Sequence, residues 1–184
     1  MMVLKKFNYK KVNSTNDIAI KIIKNTNNKS GIIIAENQKK GRGRYGKRWI
    51  SFKGNLFVSI FFNFNVNNFS LKKMTLINCL LIKKLLSFYC QQRISIKPPN
   101  DLLINKKKIS GILQEIVKKN NKKYMIIGIG INLVKNPVIK SYPTTNLYEV
   151  SKKKIKKKEI IKKLKEIYEK FIPKINTLQL SKGL

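Results

Sequence analysis

The sequence predicts an α+β domain built on a mixed or antiparallel sheet flanked by helices. Three observations carry this. Short β-branched and aromatic runs at 31–36, 55–64, 93–101 and 123–133 are strand-length and are bounded by Gly, Pro or Asn. Between and after them, 13–24, 70–90 and 151–172 repeat apolar residues near the helical period. The segment LLINKKKISGILQEIV (102–117) reads as a hairpin turning at 105–107, so part of the sheet is antiparallel.

The elements follow in order. NSTNDIAIKIIK (13–24) opens a helix, with Asn13 or Ser14 able to cap it and Ile18, Ile22 and Ile23 forming its stripe. GIIIAE (31–36) is apolar enough for a strand covered on both faces. A loop spans 37–54, and NLFVSIFFNF (55–64) is a strong strand. In 70–90, Leu71, Met74, Leu81, Leu85 and Phe88 mark the apolar side of the longest helix. RISIKPPND (93–101) is a strand ended by two prolines. KYMIIGIGINL (123–133) is a strand in which Gly128 and Gly130 invite close approach to the backbone. A lysine-heavy helix covers 151–172, which sets one domain over 1–172 and a loose tail over 173–184.

Composition narrows the function. At 184 residues and 42% hydrophobic, the chain supports one real core. No apolar run reaches the roughly 18 residues of a membrane helix, and the N-terminus shows no signal peptide. With no histidine, zinc sites and histidine triads are excluded as expectations; Cys79 and Cys90 form no metal motif, which points to a reducing cytoplasm. The net charge of +33 suggests a polyanion partner. Yet Lys numbers 37 against 4 Arg, Asn and Ile are abundant and Ala is scarce, a profile of AT-rich codons. We read the charge mainly as compositional drift, with weak, sequence-indifferent nucleic-acid affinity as a by-product.

Against that drift, the placement of Arg is informative. Three of the four, Arg42, Arg44 and Arg48, fall in GRGRYGKRW (41–49) with the only Trp and three of nine glycines. Guanidinium groups make bidentate anion contacts that ammonium groups cannot. The stretch fits both G-x-G-x-x-G and G-x-x-x-x-G-K. A dinucleotide loop needs a helix next, and a P-loop needs Ser or Thr after the Lys; here WISFKGN and a strand follow, and position 48 is Arg. What remains is a basic surface loop, or a loop that closes over an anionic ligand. In the latter, Arg42 and Arg44 grip phosphate and Trp49 offers a flat aromatic face.

STN at 14–16, AENQKKGRGRYGKRW, KPPND, KKISGILQE and GIGINL together resemble, in order and approximate spacing, the catalytic domain of biotin–protein ligases. The resemblance is clear over about residues 10–135. It implies a fold related to lipoate ligases and class II aminoacyl-tRNA synthetases. It also implies an ATP-dependent ligase that makes biotinyl-5′-AMP and then biotinylates one lysine of an acetyl-CoA carboxylase carrier domain, with biotin, ATP and Mg²⁺ as small-molecule requirements. The same resemblance allows a homodimer.

Residue by residue, it implies that Ser14, Thr15 and Asn16 meet biotin's ureido end and that Gln38 contacts biotin. Arg42, Gly43 and Arg44 order over the ligand, and Gly111 makes a backbone contact to biotin. Lys47, Trp49 and Asn132 lie by the nucleotide, together with Arg44. Lys108 reaches carboxyl and phosphate, and Asp101 orients Lys108 or the incoming lysine; Arg42, Lys108 and Asp101 carry the catalytic roles. Each has an ordinary reading too: an N-cap for Ser14, a core Trp, an Asx turn after Pro99 for Asp101. Pro98 stands where the family usually has Trp, which removes an aromatic wall. Neither the DNA-binding segment nor the C-terminal β-barrel domain of larger members is expected. The rival readings are a lipoate or octanoate enzyme on the same fold, whose transferase form needs a nucleophilic Cys, and a basic nucleic-acid module.

Overall fold

The computed structural model describes residues 2–64 and 70–175. Seven strands form one sheet: β1 (Lys5–Val12), β2 (Ser30–Gln38), β3 (Leu56–Phe64), β4 (Ile94–Lys97), β5 (Asp101–Ile104), β6 (Lys107–Lys119) and β7 (Lys122–Ile131), in the order β1-β2-β3-β7-β6-β5-β4. β1 runs parallel to β2 and every other neighbouring pair is antiparallel, so the sheet is mixed. The helices are α1 (Thr15–Asn25), α2 (Leu71–Ser87), α3 (Leu147–Ser151) and α4 (Lys157–Ile175).

Strand alternation divides the core in two. Ile32, Ile34, Val58, Ile60, Phe62, Ile127 and Ile129 point to one face, under α2 and α4. Ile33, Phe61 and Ile126 point to the other, under Ala19, Ile22 and Ile23 of α1. Both faces of β2, β3 and β7 are therefore covered, which is why these strands read as unbroken apolar runs. Two tight turns join the long strands. Asn105 and Lys106 have φ of 49° and 61°, Asn120 and Asn121 of 45° and 59°. These left-handed pairs suit two-residue hairpins, and Asn tolerates them best.

The expected helices and strands are present, with shifts that have physical causes. β1 was not predicted: KKFNYKKV is an edge strand whose lysines face water, so it lacks an apolar signal. The buried side of α2 is Met74, Asn78, Cys79, Ile82, Leu85 and Leu86. Leu71 and Phe88, expected on it, are exposed at the ends. Asn78 stays buried because Tyr168 Oη donates to its Oδ1 (3.0 Å) and its Nδ2 donates to Gln114 Oε1 (2.7 Å). The last helix, expected over 151–172, is α4, which starts only at Lys157 and continues to Ile175, while the short α3 before it had not been expected. The rest of the expected tail lies outside the described residues. Among the described residues, no helix is long and apolar enough to cross a membrane.

Asn55 fixes the exit of β7. Its Oδ1 accepts from the backbone N–H groups of Leu133, Val134 and Lys135 (3.0, 3.1 and 3.3 Å), and its Nδ2 donates to Lys135 O (2.7 Å). The side chain is fully buried. Asn55→Ala leaves these amides without their acceptor, and we expect a loss of about 2–3 kcal/mol, measurable by urea unfolding.

Candidate active site

The cleft begins where α1 starts. Ser14 occupies the N-cap position of α1, but its hydroxyl makes no capping bond. Instead Gln38, at the end of β2, reaches across: its Oε1 accepts from Thr15 N–H (2.8 Å) and Thr15 Oγ1 (3.1 Å). This satisfies one of the helix's orphan donors with a side chain from the sheet. Ser59 Oγ, buried on β3, lies 2.5 Å from Asn16 Oδ1 and 2.7 Å from Thr15 Oγ1. Gly128 is needed opposite, because a Cβ there would overlap the Asn16 carboxamide. One end of the cleft is thus an uncharged floor of hydroxyl and amide groups.

The glycines of β6 and β7 make a shelf. Added Cβ atoms at Gly111 and Gly130 would sit 2.9 Å from Trp49 Cζ3 and 2.6 Å from Trp49 Cζ2. The indole therefore lies flat on the backbone of both strands, a contact that only glycine permits. Its Nε1–H is buried without a partner.

Trp49 ends the 41–49 loop, which folds into a small hairpin of its own. Trp49 N–H donates to Gly41 O (2.9 Å), Gly43 N–H to Lys47 O (2.6 Å) and Lys47 N–H to Arg44 O (3.1 Å). Its tip is a 3₁₀ turn, Arg44–Gly46, with Tyr45 at φ 54° and 86% exposed. Arg44 Nη2 donates to the Tyr45 hydroxyl (3.0 Å). Arg42 is held by carboxylates: Nη1 and Nη2 pair with both oxygens of Glu115 (3.0 and 2.7 Å), and Nη2 meets Asp17 Oδ1 at 2.9 Å. Partial burial opposes the Arg42 charge, but the hydrogen bonds and charges of Glu115 and Asp17 outweigh it and raise its pKa.

Lys108 enters from β6. Its Nζ sits 2.8 Å from Asp101 Oδ2, with both side chains largely shielded, and 5.6 and 5.2 Å from the ring centres of Trp49 and Tyr142. Asp101 Oδ1 is buried and unpartnered. Burial, then the nearby Asp101 charge, push the Tyr142 hydroxyl pKa up, against an opposing pull from Lys47.

Ser14, Thr15, Asn16, Gln38, Arg42, Gly43, Arg44, Lys47, Trp49, Asp101, Lys108 and Gly111 all line one cleft of about 290 Å³. Asn132 does not reach it. It lines a much smaller adjoining pocket with Trp49, Lys108 and Tyr142, and its Nδ2 donates to Thr145 O (3.1 Å). Pro98 borders the main cleft. The sequence reading missed Tyr142, Ser59, Asp17 and Glu115. Only Asp17 gave a signal, as one of two aspartates in short polar clusters. The cleft is bipolar: a neutral hydrogen-bonding floor at one end, and Lys108 with the aromatic shelf toward the other, among six cationic lining side chains. Such a site suits a ligand with a neutral polar head and an anionic tail.

A family model described as the biotin/lipoate A/B protein ligase family matches residues 9–132. The bifunctional ligase/repressor BirA of Escherichia coli (strain K12) is 33% identical over 110 residues, covering 59% of this chain and 34% of that protein. BirA of Bacillus spizizenii is 29% identical over 167 residues, covering 86% of this chain and 51% of its own length. The chain thus spans from a third to half of these relatives. Among solved structures, the biotin protein ligase of Aquifex aeolicus in complex with biotin and ATP superposes with a TM-score of 0.77 at 29% identity, covering 95% of this chain and 72% of that one.

Proposed function

The chain belongs to the biotin/lipoate A/B protein ligase family, and from that membership we propose that it is a biotin–protein ligase. The biotin carboxylate attacks the α-phosphate of ATP, giving biotinyl-5′-AMP and releasing pyrophosphate. The ε-amine of a lysine on a biotin carboxyl carrier domain then attacks the acyl carbon, forming an amide and releasing AMP. The bipolar cleft carries the reading. Thr15, Asn16 and Gln38 supply the neutral partners a ureido ring needs. Arg44, Lys47 and Lys108 supply positive charge where carboxylate and phosphate must meet, and Arg42 secures the loop that brings Arg44 and Lys47 there. Bringing two anions together is mainly a task of positioning and charge neutralisation, which this chain's Arg and Lys can perform without histidine.

In this reading Lys108 neutralises the carboxyl–phosphate junction while Asp101 Oδ2 fixes its ammonium. We assign the unpartnered Oδ1 of Asp101 to orienting the acceptor lysine, whose ammonium must lose a proton before its amine attacks. Trp49 and Asn132, beside the smaller pocket, would flank the adenine. Among the described residues, no group of three or more acidic, Cys or His side chains could cage a metal. Mg²⁺ fits as a partner of the ATP phosphates, with Asp101 the one carboxylate lining the cleft. The catalytic unit would span about 1–172, with its two free, buried cysteines suited to the cytoplasm.

A cysteine-dependent acyltransferase finds less support. Cys79 and Cys90 are buried, and burial with the Asp101 charge pushes the Cys79 thiol up to about 11, away from the thiolate a nucleophile needs.

Incubation with biotin, MgATP and a carrier domain, read by streptavidin blot, tests the proposal; a blank lane beside an active control enzyme would refute it. An acidic carrier would be steered by the lysine surface. Raising the salt from about 0.05 M to 0.5 M should therefore slow transfer far more than adenylate formation, and equal losses in both half-reactions would contradict the steering.

A further inference from the structure

The loop that carries Arg44 and Lys47 is fastened by groups with no assigned role. Arg42, near the loop's start, makes two hydrogen bonds to Glu115 in β6 and an ion pair with Asp17 in the first turn of α1. Glu115 has a second partner: Asn16 Nδ2 donates to its Oε2 at 2.6 Å. One carboxylate thus touches both the neutral floor and the closing loop. Arg42 engaged in this way is neutralised before any anion arrives, so its contribution to ligand charge is smaller than that of Arg44, Lys47 or Lys108.

We propose that Asp17 and Glu115 are positioning residues that latch the 41–49 loop over the cleft through Arg42, and that Glu115 couples this closure to the floor through Asn16. The proposal rests on the ligase reading only for its consequence, retention of the adenylate, and not for the latch itself. A bidentate guanidinium–carboxylate pair holds direction as well as charge, and Asp17 in the first turn of α1 is further favoured by the helix dipole.

The test compares the ligand-free full chain with Glu115→Gln, Arg42→Ala and the double variant, by hydrogen exchange at the amides of Gly43, Lys47 and Trp49, which close the loop hairpin. Glu115→Gln keeps an oxygen for Asn16 but loses the ion pair. We expect exchange about threefold to tenfold faster in Glu115→Gln, faster again in Arg42→Ala because the Asp17 pair is lost as well, and no faster in the double variant than in Arg42→Ala, because Glu115 acts through Arg42. Release of biotinyl-5′-AMP, followed by gel filtration, should rise in the same non-additive pattern. Unchanged exchange in Glu115→Gln, or effects that add fully in the double variant, would overturn the latch. If the wild-type chain makes no adenylate, the ligase reading falls while the exchange comparison still decides the latch.

Discussion

Lys108→Ala is expected to slow adenylate formation by about 10²–10³-fold, the range typical of losing one preorganised donor at a site of developing charge. Lys108 is held from three sides, by Asp101 Oδ2 and by the rings of Trp49 and Tyr142, so its ammonium stands in a fixed place and needs no reorganisation when the anions meet. Its removal acts twice. The positive charge is lost, and the Asp101 carboxylate is left uncompensated where a carboxylate and a phosphate must enter. The second effect separates the account from a simple loss of charge. Lys108→Ala with Asp101→Asn should recover part of the adenylation rate, because the stranded negative charge goes with it. It should not recover transfer, in which we assign the Asp101 carboxylate to the acceptor lysine. Pyrophosphate release and carrier labelling, measured separately, read the two steps. A Lys108→Ala enzyme with near-normal pyrophosphate release would remove Lys108 from its place in the mechanism.

The second large effect comes from one methyl group. In Gly130→Ala the new Cβ overlaps the Trp49 indole, and the backbone cannot yield, since Gly130 is paired with Phe57 on one side and Gly111 on the other. The indole must leave its shelf. Overpacking of this kind costs about 1–3 kcal/mol if the structure resists. If the ring swings out instead, stability changes less but the aromatic face for the base is lost, and ATP affinity should fall by about tenfold or more. Trp49 is the only Trp, so its emission reports the outcome directly. We expect a red shift in Gly130→Ala with weaker ATP binding. Unchanged emission together with unchanged ATP affinity would show that the indole does not depend on the glycine shelf.

How much of this was legible in the sequence depends on where the partners lie. β2, β3 and β7 were readable because they are buried on both faces, and the hairpin at Asn105 because left-handed turns select Asn. The 41–49 loop was readable because Arg is rare in the chain and clustered there. β1 was not, since an edge strand rich in Lys carries no apolar pattern. Glu115 was invisible for another reason: it meets Arg42 from 73 positions away, and its neighbours on β6 read only as strand. Tyr142 sits in a segment without regular structure, and only the folded chain brings its ring to Lys108. Lys108 itself is one of 37 lysines and was identified by the KISG resemblance alone. Local pattern located the elements; the pairing of distant side chains required the fold.

The most direct measurement is pyrophosphate release from the chain mixed with MgATP and either biotin or lipoate, without carrier. We expect a biotin-dependent burst that stops when the cleft is full, with biotinyl-5′-AMP remaining bound to the protein, and no burst with lipoate. Release that ignores biotin, or that occurs equally with lipoate, would contradict it.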